Sequence, residues 1–242
     1  MTKRTLSEKL FELYCDQKGI SWRRVSEGAD QTPDYEIFLP RRKVVVEVKE
    51  ITPNPKERKA EKEIRRKGFS VGSTTPGDRV RKKISEASPQ IRARTKRSRF
   101  PGVLVLFQRG VIPHHIDPYQ IRVAMYGFET IVLAVPNDLS KRPYAVGAKF
   151  GPKRKMTETH NTSIGAIATL STRSNDVIEL AVYHNRHAAI PLNPKLFARY
   201  SVPQYRLADA APGEIPQWVE ITDQSALTSR STPTRARAAR AG

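Results

Sequence analysis

Residues 44 to 49 read Val-Val-Val-Glu-Val-Lys, and this run constrains the fold more than any other segment. Four β-branched valines favour an extended strand. A near-continuous apolar run of this length suits a strand covered on both faces. Side chains at i and i+2 of a strand share a face, so Glu47 and Lys49 project together, while Val46, Val48 and Glu50 point the other way. A buried charge costs several kcal/mol unless it is paired or holds a metal. Two charges in such a strand therefore point to a site. The rival reading, an ion pair on an exposed face, is opposed by the apolar surroundings.

The flanking sequence supplies the rest of a layered domain. Residues 35 to 39 and 43 to 51 form two β-rich runs joined by a short Pro-Arg-Arg link, which predicts a hairpin. Before them, Leu6, Leu10, Phe11, Leu13 and Tyr14 recur at helical spacing over residues 5 to 18, with Gly19 as a stop. Residues 21 to 25 read as a short strand. Residues 53 to 78 are rich in charge, Pro and Gly and read as a loop with a charged helical piece over 56 to 67. A second amphipathic helix is expected over 78 to 96, with Val80, Ile84, Ala87 and Ile91 on one side and a split or kink at Pro89. Residues 101 to 107, Pro-Gly-Val-Leu-Val-Leu-Phe, read as a central strand. Further strands or short helices are expected over 121 to 126, 130 to 135, 163 to 170 and 177 to 183. The order helix, hairpin, helix, strand predicts an α/β (α+β) fold with a central mixed β-sheet flanked by helices.

From about residue 201 the core signal fades, although residues 217 to 221 retain some packing potential. The expected organisation is therefore one domain over residues 1 to 200 and an extension over 201 to 242. The extension ends in the basic, low-complexity sequence STPTRARAARAG, which reads as a disordered tail.

Charge narrows the class of partner. The chain carries 43 Lys and Arg against 24 Asp and Glu, a net charge of +19. Residues 41 to 99 hold 20 basic and 7 acidic residues, so +13 of the +19 lies in that quarter of the chain. This footprint suits a nucleic acid. Cys15 is the single cysteine, which excludes an intrachain disulfide, and no ligand spacing indicates structural zinc. The N-terminal sequence lacks the apolar run of a signal peptide, and no stretch is long and apolar enough to span a membrane. A cytoplasmic protein with no membrane partner is the expectation. Nucleotide-binding loops, HExxH and serine or cysteine nucleophile signatures are absent from the sequence.

In metal-assisted hydrolysis of a phosphodiester, a divalent cation neutralises charge and acidifies water. Mg²⁺ takes oxygen ligands, commonly one or two carboxylates. Asp34, at the start of the first hairpin strand, and Glu47 offer such oxygens, the Val48 carbonyl lies between Glu47 and Lys49, and Lys49 is placed to orient water or stabilise developing charge. Asp34 after Pro33 also suits a turn.

Pro33-Asp34 and Glu47-Val48-Lys49, with twelve residues between Asp34 and Glu47, resemble the motif of the PD-(D/E)XK, or restriction-endonuclease-like, nuclease superfamily. The resemblance covers residues 5 to 110. It implies a restriction-endonuclease-like core, a Mg²⁺-dependent endonuclease with Mn²⁺ as a possible substitute, and a nucleic-acid substrate, DNA ahead of RNA, whose form (duplex, single-stranded, branched or RNA) the sequence leaves open. It further implies a metal-associated Glu on the first helix, where Glu8 and Glu12 are the candidates. Glu8 has a competing role, because Thr5-Leu6-Ser7-Glu8 is a capping box. By the same resemblance Gln90 is a candidate for a polar residue facing the site from the second helix, and Lys82 and Lys83 are candidates for phosphate contact; a solvated helix face is their plainer reading. His114, His115, His184 and His187 lack ligand spacing and read as structural, and Trp22 and Trp218 are too far apart to suggest a stacking platform. A homodimer is compatible with a double-strand break. An inactive nucleic-acid-binding module of the same fold is the principal alternative, with a structural assembly protein working through its tail as a third.

Overall fold

A computed structural model describes residues 4–26, 32–40, 42–109, 116–138, 140–172 and 177–222. The basic tail beyond residue 222, and His114 and His115, lie outside the described residues.

The first helix, α1 (Leu6–Lys18), begins at the expected capping box: the Thr5 hydroxyl accepts from the Glu8 amide, and the Glu8 carboxylate accepts from the Thr5 amide. It ends at Gly19, whose φ of 64° places it in the left-handed region that favours glycine. Three antiparallel strands follow, β1 (Ser21–Arg24), β2 (Tyr35–Leu39) and β3 (Arg42–Ile51). Two helices, α2 (Pro55–Lys67) and α3 (Asp78–Ser98), then carry the chain across to β4 (Gly102–Gln108), which pairs parallel to β3. The charged helical piece expected within residues 53 to 78 is α2.

α3 is one continuous helix through Pro89, so the expected split does not occur. Val80, Ile84 and Ala87 before the proline and Ile91 after it are all buried in one cluster. Packing on both sides outweighs the backbone hydrogen bond that proline removes.

The chain continues through α4 (Pro118–Tyr126), a hairpin of β5 (Glu129–Ala134) and β6 (Tyr144–Phe150), β7 (Ile164–Thr172), β8 (Ile178–His184), α5 (Lys195–Ala198), β9 (Gln204–Leu207) and β10 (Trp218–Glu220). Residues 121 to 126, left between strand and helix by the sequence, are helical. The main sheet has eight strands in the order β1-β2-β3-β4-β7-β8-β9-β10, and β5-β6 forms a separate pair. The β3-β4, β4-β7 and β8-β9 contacts are parallel and the others antiparallel, so the sheet is mixed. β9 and β10 extend it past residue 200, with Gln204 and Leu207 buried.

The pleat of β3 sorts its side chains into two cores. Val44, Val46 and Val48 pack with Phe11, Tyr14 and Cys15 of α1. On the opposite face Leu104 and Leu106 of β4 pack with Val80, Ile84 and Ile91 of α3. The helices therefore flank the sheet on both sides, and the face of Glu47 and Lys49 is the one that α3 covers.

Candidate active site

β2 stops pairing with β3 at Tyr35 opposite Val46. Beyond that point β3 continues to Ile51 with β4 alone on its other edge. This divergence leaves backbone groups of β3 without a ladder partner on the β2 side. Asp34 fills the gap: its Oδ2 accepts from the Val48 amide at 2.8 Å, and its own amide donates to Glu47 Oε2 at 3.1 Å. Asp34 is thus more than a turn residue, because its carboxylate replaces a strand carbonyl. The expected trio assembles: Lys49 Nζ lies 2.6 Å from Glu47 Oε1.

The electrostatics are those of charges held out of water. Glu47 is fully buried, whereas the Lys49 side chain keeps 23% of its exposure. Burial, reinforced by the negative charge of Asp34, pushes the Glu47 carboxyl up to about 7, against the opposing pull of Lys49. Burial likewise raises Asp34 above the ordinary carboxylate range, offset in part by the Val48 amide and by Lys49. The Lys49 ammonium is the partner of Glu47 Oε1, and the Asp34 amide serves Oε2. A carboxylate oxygen answered by one ammonium keeps a lone pair for a further partner.

Two carboxylates with lone pairs to spare, beside the peptide of Val48, are a donor set that suits a hard divalent cation. Among the described residues no group of three His, Cys, Asp or Glu side chains is arranged to hold a metal ion. A cation here would draw on Asp34, Glu47 and oxygens outside the side-chain set. Mg²⁺ tolerates such a partial protein shell, because it retains water or takes phosphate oxygens.

Glu8 lies close enough to Asp34 to raise its pKa, but both its oxygens are engaged. Oε2 accepts from the Thr5 amide at 2.6 Å and its hydroxyl at 2.8 Å, and Oε1 accepts from Arg24 at 3.1 Å. The capping role is therefore realised. Glu12 is turned to Tyr35, whose hydroxyl donates to it at 2.8 Å, and to Arg4 at 2.9 Å. On α3, Lys82 is exposed, Lys83 pairs with Glu86 at 2.8 Å, and half-buried Gln90 makes no hydrogen bond among the described residues. His184 bonds Gln204 at 3.0 Å within the fold, as a structural histidine does.

The sequence reading missed a second buried charge on the same face. Glu36 of β2 is fully buried and held by Arg94 of α3 and by Arg23 of β1, the latter at 2.6 Å. Burial alone would raise its pKa, but the two guanidinium groups hold it below the usual carboxylate value. The signal was available: a Glu in the run Tyr-Glu-Ile-Phe-Leu calls for a partner as Glu47 does. Arg24, which sits against Glu8 and Asp34, carried no comparable signal.

A cavity of about 200 Å³ lies near the far end of β3, lined by Ile51, Asn54, Glu57, Asp78, Arg79 and Gln108 among others. None of Asp34, Glu47 and Lys49 lines it. The charges where β2 and β3 diverge therefore lie apart from this hollow.

Neither protein-family models, nor curated proteins, nor solved structures match this chain. Among the described residues, no helix is long and apolar enough to cross a membrane.

Proposed function

We propose that the chain is a metal-dependent nuclease with a restriction-endonuclease-like core, hydrolysing DNA phosphodiester bonds at Asp34, Glu47 and Lys49. The observation that carries this reading is the junction where β2 leaves β3: fully buried Glu47, half-buried Asp34 and Lys49 meet there, with Lys49 Nζ against Glu47 Oε1. Asp34, Glu47 and the Val48 carbonyl would hold Mg²⁺, with Mn²⁺ as a substitute. When bound, the cation supplies neutralisation of phosphate charge and a more acidic water. Lys49, partly exposed, orients the attacking water and offers positive charge to the phosphate oxygens as negative charge develops on them. The Val48 amide fixes the Asp34 carboxylate, and the Asp34 amide fixes Glu47, so neither needs to reorganise when substrate arrives. Glu8 acts on Asp34 from the end of α1 through charge rather than as a ligand. A surplus of 43 basic over 24 acidic residues supports a polyanionic substrate. Such an enzyme would work in the cytoplasm, as a homodimer where both strands are cut.

The test is incubation of the purified protein with supercoiled plasmid, single-stranded DNA and RNA, in Mg²⁺, Mn²⁺ or EDTA. Metal-dependent cleavage with DNA preferred supports the proposal. Tight binding without cleavage of any of the three substrates in either metal turns the reading to the inactive binding module.

A further inference from the structure

We infer that α2 is an arm that grips the phosphate backbone of duplex DNA; this rests on the nucleic-acid reading above and specifies which element does the holding. α2 follows β3 directly, so it leaves the sheet beside the strand that carries Glu47 and Lys49. Seven of its thirteen residues are basic and three are acidic. Their spacing is informative. Arg58, Lys59, Lys62, Arg65 and Arg66 fall at i, i+1, i+4, i+7 and i+8, which places them along one face of a helix. All five are exposed. Arg65 pairs with Glu61 at 2.7 Å, whereas Arg58, Lys59, Lys62 and Arg66 make no ion pair among the described residues.

The opposite face is the foot. It carries Glu57, the one buried residue of the helix. Arg79 of α3 clasps both Glu57 oxygens at 2.5 Å and also donates to the Thr52 carbonyl. The Asn54 amide adds a hydrogen bond to Glu57 at 2.7 Å. This charge-assisted contact to a buried carboxylate at the first turn sets the direction of the helix, while the basic stripe stands in solvent. A solvated helix needs no such anchoring for its own stability, and four of the five cations on the stripe have no carboxylate paired with them among the described residues. The complementary partner is a regular array of negative charge, and duplex DNA presents one roughly every 1.7 Å of axis. The helix carries no aromatic side chain, so the base stacking that dominates single-strand binding has no platform on it.

The test is fluorescence anisotropy of a labelled 20-base-pair duplex and of the matching single strand, in EDTA, across a salt series. The full chain is compared with a variant carrying Arg58→Gln, Lys59→Gln, Lys62→Gln and Arg66→Gln, and with Glu57→Gln. Loss of the stripe is expected to make the dependence of log Kd on log salt shallower by about 2 to 4, since each phosphate contact contributes about 0.9. Glu57→Gln adds net positive charge yet is expected to weaken duplex binding several-fold, because the arm loses its footing. An unchanged Kd and slope for the stripe variant, a loss confined to the single strand, or tighter binding by Glu57→Gln would overturn the inference. Because EDTA removes cleavage from the readout, a wild-type protein that never cuts but binds duplex through the stripe sinks the nuclease reading and leaves this one standing.

Discussion

Asp34 and Glu47 are joined through the main chain: the Asp34 amide donates to Glu47 Oε2 at 3.1 Å, at the point where β2 parts from β3. The Asp34 carboxylate in turn accepts from the Val48 amide at 2.8 Å. The pair is held by hydrogen bonds donated from the backbone, and those bonds keep two like charges adjacent in a site poorly reached by water. That arrangement generates the following expectations.

The buried Glu47 carboxylate makes metal binding and stability depend on pH in opposite ways. Glu47 rises from an ordinary value of 4.5 to about 7 on folding. Between those values the folded protein binds more protons than the unfolded chain, so this group's contribution to stability is full below about 4.5 and is lost as pH rises through about 7. A cation needs the ionised form, so its affinity should fall about tenfold per pH unit below 7. Thermal melts with and without Mg²⁺ should show a larger metal-induced rise in Tm at pH 8 than at pH 5.5. In Glu47→Gln both trends should flatten, and an equal metal effect at the two pH values would count against Glu47 as a ligand.

Glu8 separates a helix cap from a metal ligand. With both oxygens committed to Thr5 and Arg24, Glu8→Gln should slow cleavage by less than tenfold. Thr5→Ala removes the cap hydroxyl and should lower stability by about 1 kcal/mol, read by chemical denaturation. A hundredfold loss of rate in Glu8→Gln at unchanged stability would restore Glu8 to the metal shell.

Glu36 makes a structural contribution that can be measured apart from activity. Arg94→Ala leaves this buried carboxylate with Arg23 alone. The expected loss is about 2 kcal/mol, below the range for a wholly unpaired buried charge because Arg23 remains. Glu36 is held below its ordinary pKa, so the stability it provides is present above the unfolded value and is lost as pH falls through the folded one. Urea denaturation of Arg94→Ala at pH 7 reads the loss directly, and wild-type stability there would remove Glu36 from the account.

Gly102 fixes how closely α3 approaches β4. A Cβ built there would lie 2.2 Å from Ile91 Cγ2 and 2.8 Å from the Ser163 carbonyl oxygen. Gly102→Ala should therefore destabilise by about 1 to 3 kcal/mol through overpacking. A neutral effect in urea denaturation would mean that the crossing helix yields more readily than this packing suggests.

Much of this arrangement is legible in the sequence because it follows from period. The alternation in β3 separates Val46 and Val48 from Glu47 and Lys49, and the helical spacing of α1 and α3 selects the residues that pack on either side. What escapes is what depends on distant chain. Glu36 meets Arg94 across 58 residues, and nothing local in either sequence selects the other. Pro89 carries a strong local signal for a break, but contacts on both sides of it override that signal. The strands β9 and β10 are only four and three residues long, too short for periodicity to announce them, and they form because β8 offers an open edge.

The most direct measurement is the single-turnover rate of supercoiled plasmid cleavage by wild type, Glu47→Gln and Lys49→Ala in Mg²⁺, with duplex affinity measured in parallel. The account predicts that wild type cuts only with metal and that each substitution lowers the rate by about 100-fold or more while binding is retained. Cleavage at the wild-type rate by either variant, or wild-type cleavage that persists in EDTA, would contradict it.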